Sequence, residues 1–299
     1  MGKASSAKQG TDRRERIAAQ RAAARRQEMR NRLLIAGGAV IAVVAIVVAF
    51  VVIKANSHSS SSSSSASAYP TGAALAKIVD LTTSVPESTL RAVGAGSVAS
   101  KPQSITGSHL RLDGKPEMLY MGAEYCPYCA AERWAMIVAL SHFGTFTGLQ
   151  GMQSSSTDVY ADTPTFTFLH AEYTSKYIKL STVEMEDRSG NTLQTPTAAQ
   201  QALMNKYDAA PYVASADAGS IPFVDMGNRY LIVGASYNPS VLSGLTWSQI
   251  ATDLHDPSTA VAKGVDGTAN FITAALCKIT NDRPRSVCTS AVKKLQGQI

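Results

Sequence analysis

The sequence predicts an α/β domain carried outside the cell on a single transmembrane helix. Three observations carry that expectation. Leu33 to Ile53 is a run of 21 residues without a charge; a strand, a C-x-x-C pair and a helix follow one another around Cys126 and Cys129; and Ile221-Pro222 opens a strand–turn–strand segment. At 299 residues and an apolar share of 45%, the chain holds enough material for one good-sized core plus accessories.

Residues 1–32 are a basic tail. Ten Lys or Arg stand there against Asp12, Glu15 and Glu28, a net +7, so the chain's overall +6 leaves −1 for everything after residue 32. The tail reads as topogenic charge with attraction to anionic headgroups, and no nucleic-acid partner is expected. At ~1.5 Å per residue, residues 33–53 match a hydrocarbon core of roughly 30 Å. A cleaved signal peptide is the competing reading, but its apolar region runs only ~7–15 residues before a small-residue site. Ile53-Lys54-Ala55 is a poor version of such a site. The positive-inside rule then predicts a single-pass protein of the cell membrane, with its N-terminus cytoplasmic and its C-terminal domain extracytoplasmic. Residues 54–70 include Ser59 to Ser65, an unbroken serine run that cannot bury apolar surface and reads as a flexible tether. The folded domain is expected over 71–299.

Within that domain, Leu75–Leu81 and Ser88–Val93 are short pieces, helical or extended. Asp113-Gly114-Lys115-Pro116 signals a turn, and Met118–Ala123 is an apolar run fit for a buried strand. Ala130–Phe143 follows without Gly or Pro, with Trp134, Ile137, Val138 and Leu140 on one side of a helix. Residues 143–219 form a long insertion, in which Thr165–Leu169 and Tyr177–Glu186 read as extended and Ala198–Tyr207 as a helix. Phe223–Met226 and Tyr230–Val233 pair about Gly227-Asn228, a dipeptide suited to a tight primed turn. Helices are expected over Ile250–Leu254, Ala269–Ile279 and Ser286–Leu295.

The four cysteines divide into Cys126 with Cys129 and Cys277 with Cys288. Amides at a helix N-terminus favour negative charge and lower a thiol from its free value of about 8.5, which makes Cys126 the attacking thiol. Cys129, one turn further in, is expected to be more buried and to resolve a mixed disulfide by internal attack. Pro127 fits the first helical turn, where its missing N–H costs nothing. Two bland readings compete: half of a zinc site, and a purely structural disulfide. The C-x10-C spacing of Cys277 and Cys288 is wrong for the other half of a zinc site, and no metal or other cofactor is expected. Closing so short a loop as Cys126–Cys129 gains little stability.

For Cys277 and Cys288 the favoured reading is a disulfide stapling an antiparallel helical hairpin, worth about 3 kcal/mol, with a second redox pair as the alternative. If Ile221-Pro222 is cis, the backbone of Ile221 faces the Cys pair and holds an extended substrate; a trans proline entering an edge strand is the bland reading. Ile221, Pro222, Pro127 and Tyr128 are therefore the expected substrate contacts. Glu124 is a candidate proton acceptor for Cys129, or else a solvent-facing strand end. Arg133, one helical turn beyond Cys129, is a candidate for stabilising a thiolate but reads rather as a surface or ion-pairing residue, and Trp134 reads as core.

Strand, C-x-x-C, helix, then Ile-Pro before a hairpin, is similar to the thioredoxin-like fold. More closely, Gly122–Trp134, Ser220–Phe223 and Ala275–Thr280 with Cys288 resemble the family catalogued as domain of unknown function 929, over roughly residues 71–299. Pro127-Tyr128 is also what glutaredoxins carry, although the insertion departs from their compact plan. The resemblance implies a thioredoxin-like domain with an insertion and a C-terminal helical hairpin. The expected function is thiol–disulfide exchange on thiols or disulfides of cell-envelope proteins. One alternative is a non-catalytic envelope binding module with structural disulfides; another is an electron relay to a membrane redox partner.

Overall fold

The computed structural model describes residues 69–299. The basic tail, the apolar run and all but the end of the serine-rich segment lie outside the described residues. Among those described, no helix is long and apolar enough to cross a membrane.

In chain order the elements are α1 (Gly72–Thr83), α2 (Glu87–Val93), β1 (Gln103–Ser104), β2 (Arg111–Leu112), β3 (Lys115–Gly122), α3 (Pro127–Ser141), β4 (Gly144–Thr147), β5 (Gln150–Gln153), β6 (Pro164–Thr167), β7 (Glu172–Ser175) and β8 (Lys179–Glu184). There follow α4 (Ala198–Tyr207), β9 (Phe223–Met226), β10 (Tyr230–Val233), a 3₁₀ turn (Pro239–Leu242), α5 (Trp247–Asp253), α6 (Ala260–Ile279) and α7 (Ser290–Gln296).

The main sheet is mixed. β3 lies at its centre, with β8 parallel on one edge and β9 antiparallel on the other, and β10 and β1 continue beyond β9. Two small antiparallel ladders, β4 with β7 and β5 with β6, occupy the chain between α3 and β8.

Strand pleating sorts the core into two faces. Met118, Tyr120, Val224, Met226, Tyr230 and Ile232 join the large cluster that contains α3 and α6. The alternate residues Leu119, Met121, Phe223 and Leu231 pack with Met204 and Tyr207 of α4. Helix α3 is buried from Cys129 through Leu140, because α6 and β6 pack on it as well as the sheet. Trp134 lies in this core as expected, its indole N–H donating to the Pro164 carbonyl at 2.8 Å.

The hairpin at Gly227-Asn228 and helix α4 have the expected bounds. Gly227 and Asn228 both take positive φ (70° and 52°), as a primed turn requires. Thr197 and Gln200 close a reciprocal capping box ahead of α4.

Elsewhere the structure corrects the expectations. The pieces at 75–81 and 88–93 are both helices, α1 and α2. Helix α6 begins at Ala260 rather than Ala269, because Thr259 caps it and its glycines are packing sites rather than breaks. A Cβ on Gly264 would lie 2.7 Å from the Tyr237 ring, and one on Gly267 would lie 2.8 Å from the Ala95 carbonyl oxygen. Helix α7 begins at Ser290 rather than Ser286, so Cys288 stands in the turn before it and only Cys277 is helical. The Cys277–Cys288 disulfide therefore ties a helix to a loop, with a Cα–Cα distance of 5.6 Å.

Candidate active site

Strand β3 ends at Gly122, and the chain turns through Ala123, Glu124 and Tyr125 into α3. Cys126 is the N-cap of that helix. Its backbone is extended (φ −76°, ψ 120°), and its sulfur accepts the Cys129 N–H at 3.2 Å, filling the role a serine or aspartate oxygen usually plays. Pro127 occupies the first helical position. The Cys126 thiol donates to the Ile221 carbonyl at 3.7 Å, and the Ile221–Pro222 bond is cis. Cys126 and Cys129 are both free thiols, 4% and 0% exposed, clustered with Ala123 against Tyr125 and Ile221.

The two sulfurs have opposite acidities. Hydrogen bonding from Cys129, aided by backbone N–H groups at the start of α3 and the Arg133 charge, outweighs burial and lowers the Cys126 thiol below its ordinary value. Burial, with the hydrogen bond and charge of Cys126, pushes Cys129 well up. Cys126 is therefore the more acidic of the two thiols.

Tyr128 is 39% exposed and borders a cleft of about 520 Å³ with Ile221, Ser220, Val213 and Gly234. On the other side, Tyr125 borders a cleft of about 540 Å³ with Ser156, Glu186 and Arg188. The loop from β5 to β6 reaches both tyrosines. Ser155 N–H donates to the Tyr125 carbonyl at 2.8 Å, and the Tyr160 ring meets that of Tyr128 edge-on at 6.1 Å. The long insertion thus contributes to the rim of the Cys126 site.

Glu124 is partly buried and accepts the Thr167 hydroxyl at 2.6 Å, and burial raises its carboxyl above the ordinary range. Arg133 is not at the surface. It is fully buried and paired with Glu184, Nε and Nη2 donating to the two carboxylate oxygens at 2.9 and 2.6 Å, while Nη2 also donates to the Ala123 carbonyl at 2.8 Å. The reason is register: Glu184 stands opposite Gly122 across the β3–β8 ladder, on the sheet face that α3 covers. This pair ties the turn before Cys126 to the end of β8.

Sequence reasoning did not single out Tyr120, Gly122 or Glu184. A signal was present for Arg133. From Ala130 to Leu140 only Glu132 and Arg133 are polar, and a helix apolar on every side is buried on every side. Glu132 is indeed buried, holding the N–H and hydroxyl of Ser236, with its carboxyl pushed up to about 7 by burial. Cys277 and Cys288, bonded to each other, have no thiolates to offer a metal shared with Cys126 and Cys129.

A match to the family described as Domain of unknown function (DUF929) runs over residues 101–278 and takes in Cys126, Cys129, Ile221 and Pro222. The chain belongs to the DUF929 family. No curated protein and no solved structure matches it. The DUF929 match covers the whole of the main sheet together with α3 and α4, and it ends one residue after Cys277.

Proposed function

We propose that this DUF929 chain is a membrane-anchored, thioredoxin-like thiol–disulfide oxidoreductase that acts on cell-envelope proteins. The observation that carries the reading is the placement of Cys126 Sγ, which caps α3 by accepting the Cys129 N–H while touching the Ile221 carbonyl. A sulfur so placed is activated by the helix terminus and lies beside backbone that an extended substrate can pair with. Strand order β8-β3-β9-β10, with β3 and β8 parallel and a C-x-x-C helix between them, supports the thioredoxin-like assignment. The anchor at 33–53 and the extracytoplasmic location rest on the sequence.

In this mechanism the Cys126 thiolate attacks a substrate disulfide, forming a mixed disulfide and releasing one substrate thiolate. Cys129 then attacks Cys126, closing the Cys126–Cys129 disulfide and releasing the second substrate sulfur. Oxidation of a dithiol substrate is the same path reversed. Ile221, Pro222, Pro127 and Tyr128 contact the substrate, and Glu124 is the proposed proton acceptor. The test is Cys129→Ser, which should accumulate mixed disulfides with envelope proteins that reductant releases. Recovering none across a range of redox conditions would count against exchange.

The near-complete burial of Cys126 favours a second reading, a non-catalytic binding module. That reading requires a Cys126–Cys129 potential in the structural range, below about −300 mV. Measuring the potential separates the two.

A further inference from the structure

Resolution by Cys129 poses a physical difficulty. The sulfur is wholly buried, yet it must carry negative charge as it attacks Cys126 or leaves it, and a buried charge is costly unless donors await it. Among the described residues, the Tyr120 hydroxyl beside it and Nη1 of Arg133, whose charge acts on it, are buried donors without a hydrogen-bond partner. Buried polar groups without partners are rare in folded proteins, and each calls for an explanation.

Gly122 brings the first of these to the sulfur. Tyr120 and Gly122 point to the same face of β3, and a Cβ on Gly122 would lie 2.1 Å from the Tyr120 hydroxyl oxygen and 3.1 Å from Cys129 Sγ. Only glycine leaves that space open. The Arg133 guanidinium stands over the Tyr120 ring at 5.6 Å, held by Glu184 and the Ala123 carbonyl through its other nitrogens, so Nη1 is the donor it has left. Cys126 and Arg133 act on Cys129, and Cys129 in turn acts on Tyr120, where Glu184 opposes Arg133.

We propose that the Tyr120 hydroxyl and Arg133 Nη1 form a donor pair reserved for the Cys129 thiolate, filled only while that sulfur is charged. The pair stabilises Cys129 as the nucleophile that resolves a mixed disulfide and equally as the leaving group when a substrate thiolate opens the Cys126–Cys129 bond. In the resolving direction the Cys129–Cys126 bond forms, the Cys126–substrate bond breaks, and the substrate sulfur is reduced. The proton Cys129 gives up is balanced by the one that the departing sulfur takes. No further reactant is needed, and the donor pair keeps its own protons. This inference rests on the exchange reading.

The probe is 5,5′-dithiobis(2-nitrobenzoate) mixed with the reduced full chain in detergent. Attack by Cys126 releases one coloured thiolate, and attack by Cys129 on the resulting mixed disulfide releases a second. In Tyr120→Phe the ratio of second to first rate should fall about tenfold or more, the loss expected for one hydrogen bond to a charged atom. Arg133→Lys keeps a charge for Glu184 but loses the fork, and should lower the ratio too. General loosening of the fold would alter both releases rather than their ratio. If neither variant, once shown to be folded, changes the ratio more than twofold, the donor pair is refuted. Absence of the first release from the unmodified chain has a different signature: it sinks the exchange reading and this inference with it.

Discussion

Replacing Glu184 by Gln discharges one end of an ion pair whose side chains are both 0% exposed. The guanidinium cannot give up its proton to adapt. The carboxamide is nearly isosteric but places an NH₂ group where one accepting oxygen stood, so one of the bonds at 2.6 and 2.9 Å is lost and a donor faces a donor. Breaking one side of a buried pair costs about 3–5 kcal/mol. The bond from Arg133 to the Ala123 carbonyl survives, as does one amide acceptor, which places the expected loss near the lower end, about 3 kcal/mol. Each kcal/mol shifts Tm by about 2–4 °C at this size, so Tm should fall by about 6–12 °C. Urea and thermal unfolding of the unmodified chain, Glu184→Gln, Arg133→Met and the double variant Arg133→Met/Glu184→Leu measure this. The double variant should recover much of the loss, because apolar side chains of similar volume replace a buried pair at little cost. A loss below about 1 kcal/mol in Glu184→Gln, or a double variant no better than the singles, would refute the reasoning.

Three further outcomes are expected. Both carboxylate oxygens of Asp266 lack partners among the described residues, and burial pushes its carboxyl up to about 8. The folded state thus holds a proton that the unfolded chain releases near pH 4, a contribution whole below about pH 4 and lost as pH rises through about 8. Asp266→Asn should therefore match the unmodified chain near pH 4 and exceed its stability at pH 8; urea midpoints with the same offset at both values would contradict this. Gly96 has φ +53°, and a Cβ there would lie within 2.0 Å of the Lys263 carbonyl oxygen, which is backbone and cannot swing aside. Gly96→Ala should cost about 2–4 kcal/mol from overpacking and a left-handed backbone together, and a thermal shift near zero would show that the contact relaxes. Replacing both Cys277 and Cys288 by Ser opens a loop of sequence separation 11 and should cost about 3 kcal/mol by denaturant unfolding. An unchanged midpoint would mean the staple contributes nothing.

Much of the fold was legible because its signals are local. The β9–β10 hairpin is written in Gly227-Asn228, and helix α4 in a run without Gly or Pro from Ala198 to Tyr207. The Cys126–Cys129 pair at a helix start is likewise local, since a C-x-x-C with Pro127 after its first cysteine places one sulfur at the N-cap whatever surrounds it. Helix α6 starts earlier than the sequence suggests because Gly264 and Gly267 carry no mark distinguishing a helix break from a close approach. What distinguishes them is Tyr237 and Ala95, distant in sequence.

The amino-acid sequence alone determined the strand–dithiol–helix order about Cys126, the hairpin after Pro222 and the separate pairing of Cys277 with Cys288. Tertiary structure alone decided what surrounds the dithiol. Arg133 meets Glu184 only because β8 runs parallel to β3 in the register that sets Glu184 opposite Gly122. Tyr120 lies beside Cys129 only because Gly122 leaves the space between them empty. Local propensity acts over a turn or a strand, whereas the charges and donors around a buried sulfur are set by strand register and helix packing, which no short stretch of chain encodes.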